Sequence, residues 1–203
     1  MVIGLTGGIG TGKTTVSKKL RERGYPVIDL DNISREVIKY SKVINKLVQN
    51  FGKEILLEED VAISEREISR KKLGKIVFKD EKKINILNSI MHPPILKKMR
   101  EEIKEAEKKY AVVFVEVQLL FEINLEQEFD MTVLVYSDRK TQLKRVSERD
   151  GRDEEEVLNI LDSQMDIEIK RKKSSYIIEN NLDLENLDRE IDKFIEKLEI
   201  LMR

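Results

Sequence analysis

The 203-residue sequence has no cysteine and no tryptophan. Without thiols there is no disulfide, no thiolate metal site and no cysteine nucleophile. No apolar run reaches the roughly 18 residues that a membrane-spanning helix needs. The N-terminus passes straight into a strand-like segment, so no signal peptide is expected. Charge of one sign is also missing: 38 basic residues face 39 acidic ones, for a formal charge of −1. That balance suggests neither a nucleic-acid nor a membrane partner. Internal repeats and low-complexity linkers are absent. A cytoplasmic, soluble, single-domain protein is expected, as a monomer or weak homo-oligomer. Charged residues are in excess, at 38% against the usual quarter or so. With abundant Lys, Glu and Ile, this composition resembles that of hyperthermophile proteins with surface ion-pair networks. Any single Lys or Glu is therefore read first as a solvated helix-surface residue.

What is present begins at Gly7-Gly8-Ile9-Gly10-Thr11-Gly12-Lys13-Thr14, which fits the phosphate-loop pattern G-x-x-x-x-G-K-[ST]. The pattern requires a strand before it and a helix after it. Val2 to Thr6 reads as a buried strand, and Thr14 to Arg23 as a helix stopped by Gly24. Closely spaced glycines let successive backbone N–H groups turn toward one anion, and the helix N-terminus adds partial positive charge. Gly8, Gly10, Thr11, Gly12, Lys13, Thr14 and Thr15 are the candidate nucleotide-binding residues, and the loop alone leaves open which nucleotide binds. Lys13 supplies a point charge for the β- and γ-phosphates, and Thr14 offers a hydroxyl to Mg²⁺.

Residues 25–30 hold a second short strand, with Asp29 and Asp31 at or just past its end. Ligands of open α/β sheets bind beyond the carboxyl ends of strands. This D-x-D pair therefore suits a substrate hydroxyl or magnesium, although Asp31 or Asn32 could equally cap a helix over 32–40. Residues 41–109 read as a long helical insertion. It contains an apolar stripe from Val43 to Phe51, a capping box of Ser64 and Glu67, and a helix carrying Ile84 to Ile90. His92-Pro93-Pro94 is expected to break that helix, with a new one restarting at Pro94. His92, the only histidine, reads more naturally as a cap or turn residue than as a catalyst.

Ala111 to Val117 is the most strand-like run, continuous enough for a central parallel strand. Glu116 stands near its end, where phosphate-loop proteins place a carboxylate on the magnesium side. A strand over 131–136 precedes a helix over 138–149 with Ser137 as its cap. An acidic first turn at 153–156 opens the next helix, a last strand spans 175–179, and an amphipathic helix closes the chain. Five short strands alternating with helices, with a phosphate loop after the first, argue for an α/β fold with a five-stranded, parallel, doubly wound sheet, an arrangement that resembles the P-loop nucleoside-monophosphate-kinase type. The core is expected at 1–40, 110–144 and 174–203, with a helical acceptor lobe at 41–109 and a lid at 145–173. Arg145 and Arg149, four apart on one helix face, either close over the γ-phosphate or are surface charges.

In order along the chain, these segments resemble the dephospho-coenzyme A kinase family nearly end to end. Gly4 to Val16 and Val27 to Val37 are similar to its first two motifs. Arg70 to Phe78 and His92 to Ile95 (HPPI) look like its acceptor-side motifs. Glu116 to Glu122 (EVQLLFE) resembles the family's D-V-P-L-L-F-E. Thr141 to Gly151 looks like its lid, and Gln164, Lys170 and the strand ending at Asn180 look like its last motif. The departures are Glu116-Val117-Gln118 for Asp-Val-Pro, Ser174-Ser175 for Ala-Asp, and Leu182 for a glycine. The resemblance implies transfer of the ATP γ-phosphate to the ribose 3′-hydroxyl of dephospho-coenzyme A. It implies Asp31 as base, Lys13, Arg145 and Arg149 as catalytic cations, and Arg70, His92 and Pro93 beside Asp31 as acceptor-binding residues. Thr14 and Glu116 would stand on the metal.

Three other readings use the same loop. Another small-metabolite kinase would differ only in its acceptor lobe. A regulatory GTPase needs N-K-x-D, and Asn45-Lys46-Leu47-Val48 lacks the aspartate. A nucleotide-binding structural protein leaves Asp31, Arg145 and Arg149 without a joint role.

Overall fold

The computed structural model describes residues 1–59, 61–62, 65–78 and 80–202. The chain divides into two compact units. One comprises Met1–Asp29 and Glu105–Arg203, and the other Leu30–Lys104.

The first unit holds the sheet. Its strands are β1 (Val2–Thr6), β2 (Val27–Asp29), β3 (Val113–Glu116), β4 (Met131–Tyr136) and β5 (Tyr176–Glu179). They lie in the order β2-β3-β1-β4-β5, and every pairing is parallel. Such strands are buried on both faces, which explains the uninterrupted apolar runs in β1, β3 and β4. The register sets Leu5 of β1 and Asp29 of β2 beside Glu116 of β3. The carboxyl ends of three strands therefore meet at one edge.

Helices α1 (Lys13–Glu22) and α9 (Leu184–Leu201) contribute Val16, Leu20, Leu187, Ile191, Phe194 and Leu198 to one core cluster with Ile3, Leu5, Phe114, Val133 and Val135. Phe114 lies at its centre, edge-on to Tyr25 and Phe194 with ring centroids 5.6 and 6.1 Å away.

After β4 come α6 (Arg139–Asp150), α7 (Glu154–Asp162) and α8 (Ile167–Lys173). Contact places this expected lid segment within the first unit. Val146, Val157 and Leu161 form their own cluster, packed with Ile9 of the phosphate loop. The cap of α6 is Asp138, whose carboxylate accepts from Thr141 N at 2.8 Å, and not the expected Ser137. An aspartate at this position also favours the positive end of the helix, while Ser137 is fully buried and used elsewhere. The acidic turn after Gly151 behaves as expected, with Asp153 capping α7. Helix α8, capped by Asp166, was not anticipated.

The second unit is helical: α2 (Leu30–Val37), α3 (Ser41–Phe51), α4 (Arg70–Val77) and α5 (Glu81–Glu107, which crosses back into the first unit). Its start at Leu30 assigns α2 to this unit, whereas the core was expected to run to residue 40. Helix α2 begins directly after β2, so Asp31 and Asn32 sit inside its first turn and not at its cap. Ser64 of the expected capping box lies outside the described residues. The cap seen here is Ser69, which accepts from Lys72 N at 3.3 Å and opens α4.

The expected break at His92-Pro93-Pro94 does not occur, and α5 runs through both prolines. They remove the N–H groups that would reach the carbonyls of Ser89 and Ile90, a loss of about 3 kcal/mol each in a helix interior. The buried stripe Ile90, Met91, Ile95, Met99 and Ile103 spans the interruption at helical spacing and holds both halves on one axis.

Candidate active site

The loop from Gly7 to Gly12 joins β1 to α1. Gly10 and Gly12 have φ of 79° and 85°, a region that side chains with a Cβ rarely enter. At Gly12 a Cβ would also collide with the side-chain amide of Asn180, which donates to Thr11 O at 2.8 Å. Thr11 is fully buried, and its hydroxyl donates to Gly8 O at 2.9 Å. Its side chain therefore shapes the loop from within. Ile9 N donates to Gln164 Oε1 at 3.0 Å, so the short connection after α7 holds the loop from the other side.

An open cavity of about 390 Å³ lies over this loop, lined by Gly8, Gly10, Gly12, Lys13, Thr14, Thr15, Gln118, Arg145 and Arg149 among others. Helix α1 starts at Lys13, so its first N–H groups have no intrahelical partner and are available to an anion.

The Lys13 ammonium is hydrogen-bonded to the Glu116 carboxylate, and both side chains are almost wholly buried. Burial alone would raise the Glu116 pKa. The hydrogen bond and charge of Lys13, with Arg21 further off, outweigh it and hold the carboxyl below its ordinary value. Among the described residues no group of three or more His, Asp or Glu side chains could cage a metal. Mg²⁺ does not need such a cage, because it keeps waters and takes phosphate oxygens. The exposed Thr14 at the cavity wall fits that mode. Glu116 fits only as a neighbour, because one of its oxygens is held by Lys13.

The two expected catalytic arginines differ. Arg145 donates to Ser137 Oγ at 3.0 Å, to Asn180 O at 2.8 Å and to Leu182 O at 3.2 Å. In this structure it braces the turn after β5, where Ser137 Oγ also bonds Asn180 O at 2.5 Å. Leu182 contributes only its carbonyl, which is why a leucine can stand where the family resemblance led to glycine. Arg149 is exposed and forms a fork with its neighbour Asp150, at 2.7 and 2.9 Å.

Lys170, fully buried, pairs with Glu122 Oε1 at 2.6 Å. The same Glu122 oxygen accepts from Met165 N at 3.1 Å. Lys170 also reaches Gln118 O at 3.4 Å, an acceptor shared with the Thr6 hydroxyl at 3.3 Å. Gln118 thus serves this network through its backbone, which does not need the family's proline. This junction ties α8 to the loop after β3. Sequence reasoning matched Lys170 to a motif but gave it no role, since a lysine in so charged a chain reads as surface.

In the helical unit, Asp31 is exposed in the first turn of α2, two residues along the chain from Asp29. Arg70 and His92 come together at an open cavity of about 460 Å³ with Ser34, Phe78, Asn88, Met91 and Ile95. His92 therefore faces a cavity from within a helix and is not a turn residue. Burial pushes its imidazole below the ordinary value of 6.5, so it is neutral at pH 7. Pro93 is exposed and does not line that cavity. It follows His92 by one residue, about 100° around the helix, and so stands off the face carrying Asn88, Met91, His92 and Ile95.

A parallel sheet with a glycine-rich phosphate loop at the end of its central strand, an overhanging helical segment and a separate helical unit defines the class of phosphate-loop kinases. Comparison narrows the class. The family described as CoaE, dephospho-CoA kinase, matches residues 1–186. The dephospho-CoA kinase of Helicobacter pylori (strain ATCC 700392 / 26695) is 39% identical over 198 residues, covering 97% of this chain and 96% of its own. A crystallised protein of Thermus thermophilus, 32% identical, superposes with a TM-score of 0.83 over 98% of this chain and 97% of its own. The dephospho-CoA kinase of Campylobacter jejuni, 29% identical, gives 0.73 over 97% and 96%. This chain belongs to the dephospho-CoA kinase family.

Proposed function

We propose that this chain transfers the γ-phosphoryl group of ATP to the ribose 3′-hydroxyl of dephospho-coenzyme A, giving coenzyme A and ADP, the last step of coenzyme A biosynthesis. The observation that carries the reading is the family match over residues 1–186, joined to a phosphate loop whose glycines line an open cavity.

The residue roles follow from chemistry. The loop N–H groups and Lys13 take the β- and γ-phosphates, and for this Lys13 exchanges Glu116 for phosphate. Thr14 would hold Mg²⁺, which when bound neutralises charge on the phosphate oxygens. The acceptor's 3′-oxygen bonds to the γ-phosphorus, the bond from that phosphorus to the β,γ-bridging oxygen breaks, and ADP leaves. The hydroxyl proton goes to the carboxylate of Asp31, which orients the weak nucleophile beforehand. Arg149 releases Asp150 to neutralise the transferring phosphoryl group, while Arg145 sets the turn after β5 against the nucleotide cavity. Arg70 and His92 hold the acceptor at the second cavity. A neutral His92 can donate one hydrogen bond and accept another without adding charge. The cytoplasm, where ATP is available, is the proposed setting.

The test is ADP release in a coupled assay, with dephospho-coenzyme A set against nucleoside monophosphates, shikimate and gluconate. Turnover with dephospho-coenzyme A and background rates with the others are expected. Background with dephospho-coenzyme A, or a better rate with another acceptor, would overturn the reading.

A further inference from the structure

Gln118 stands on the wall of the nucleotide cavity, together with the loop glycines, Lys13, Thr14, Arg145 and Arg149. It lies two residues past Glu116, where the chain has left β3 for the turn that follows. Its main chain is held from several sides. Val117 N donates to Leu5 O at 2.8 Å, and Gln118 O accepts from the Thr6 hydroxyl at 3.3 Å and from Lys170 Nζ at 3.4 Å. The residue is thus anchored beside Thr6, the last residue of β1, from which the phosphate loop springs.

Its side chain is uncommitted. Half-buried at the cavity wall, it has no hydrogen-bond partner among the described residues. The other long polar side chains of that wall are engaged: Lys13 with Glu116, Arg145 with Ser137 and the carbonyls of Asn180 and Leu182, Arg149 with Asp150. An amide offers two N–H donors and one acceptor oxygen without adding charge. The position of Gln118 in the sheet selects the part of a nucleotide that it meets. Phosphate-loop N–H groups cradle the α- and β-phosphates, and the loop lysine reaches on to the γ-phosphate. Here Lys13 reaches the end of β3, where its ammonium holds Glu116. The outer end of a bound triphosphate therefore lies on the β3 side of the loop, and that is the side on which Gln118 stands.

We infer that the Gln118 side-chain amide donates a hydrogen bond to an oxygen of the γ-phosphoryl group, so that the site distinguishes ATP from ADP. The inference rests on the proposed reaction for its nucleotide and deepens it. The contact belongs to this chain: a proline, to which the family resemblance leads at this position, has no side-chain donor. A neutral donor suits the place. Lys13 and Arg149 already supply positive charge to the terminal phosphate, and the amide adds direction. A hydrogen bond to a charged acceptor is stronger than one to a neutral acceptor, and this one forms only while the γ-phosphate is present. Loss of that phosphate removes the bond, which favours exchange of ADP for ATP.

The experiment is isothermal titration calorimetry of the full chain with the non-hydrolysable β,γ-imido analogue of ATP and with ADP, each with Mg²⁺ and without acceptor. Wild type is compared with Gln118→Ala and Gln118→Leu. Neither substitution removes the main-chain carbonyl that Thr6 and Lys170 use. Gln118→Leu keeps the bulk of the side chain without its donors, and so carries the test if Gln118→Ala fails to fold. Loss of a hydrogen bond to a charged group corresponds to roughly tenfold or more in affinity. Both variants are expected to bind the ATP analogue at least about tenfold more weakly and ADP within about twofold of wild type. An equal loss for the two nucleotides overturns the inference, because a purely structural role acts alike on the phosphates they share. Unchanged affinity for the analogue overturns it as well. No acceptor enters these titrations, so the two readings fail separately. Wild type that binds the analogue and does not turn over dephospho-coenzyme A overturns the proposed reaction, while a loss confined to the analogue still supports the Gln118 contact. Wild type that binds neither nucleotide overturns both.

Discussion

The two units solve opposite problems with similar residues. Around the phosphate loop nearly every polar side chain is committed: Thr11 to Gly8, Asn180 to Thr11, Gln164 to Ile9, Arg145 to three acceptors, Lys13 to Glu116. In the helical unit the groups that matter are left open. Arg35, Lys39, Arg66 and Arg70 line a cavity without ion pairs among the described residues, and Phe78 is 76% exposed beside another. A polyphosphate is bound largely by backbone N–H groups, whose direction must be fixed before the ligand arrives. Under the proposed function, a long, jointed acceptor would be held by side chains that can wait for it. The contrast explains why the loop is braced from three directions and why the unit from residue 30 to 104 has open cavities and unspent charge.

The largest expected effect separates the chemistry of the two units. Asp31→Asn should lower kcat by at least about 100-fold, with a much smaller change in the KM for ATP. Near-normal turnover would remove Asp31 as base and leave the helical unit a purely binding role. Next, Lys170→Met tests whether the core unit depends on its buried junction. Breaking a buried pair costs about 3–5 kcal/mol, because Glu122 is left with its charge. In denaturant unfolding this variant should lose stability, and Lys170→Met/Glu122→Leu should regain much of it. Equal stability of wild type and the single variant would show that the junction is not holding α8.

Acidity should tell the units apart more gently. Glu116 has a depressed pKa in the folded chain, so on acidification the unfolded chain binds a proton first. The stability this group contributes is complete above its ordinary value of 4.5 and is lost as pH falls through the lower folded value. Glu116→Gln should flatten that acid limb, as read from unfolding midpoints between about pH 3 and pH 6. The smallest effect belongs to His92. Its imidazole is also depressed, so protonation favours the unfolded chain. Stability should decline as pH drops below about 6.5 and level off below the folded value, by about 1.4 kcal/mol for each unit of depression. His92→Asn should erase this slope and leave the acid limb of Glu116 in place. A slope that survives the substitution would mean that His92 is solvated.

How much of this was legible in the sequence follows the same division. The phosphate loop, its flanking elements and the five strands were readable because they rest on local rules: glycines where the backbone must turn, and continuous apolar runs where strands are buried on both faces. What local rules missed was decided by tertiary contact. The stripe from Ile90 to Ile103 carries α5 through two prolines that local propensity would have used as a break. Ser137 was read as a cap, yet Asp138 takes that position and frees the serine for Asn180 and Arg145. Thr11 sits inside a binding motif and points inward. Lys170 was invisible in a chain rich in lysine, because burial, and not identity, sets it apart.

The central claim is that the acceptor hydroxyl is the ribose 3′-oxygen, brought to the γ-phosphate held by the Gly7–Thr14 loop. The direct measurement is phosphorus NMR of the product formed from ATP and dephospho-coenzyme A. The account predicts one new phosphomonoester resonance coupled to the ribose 3′-proton, formed in step with ADP. A phosphate on any other oxygen, or ADP accompanied only by inorganic phosphate, would contradict it.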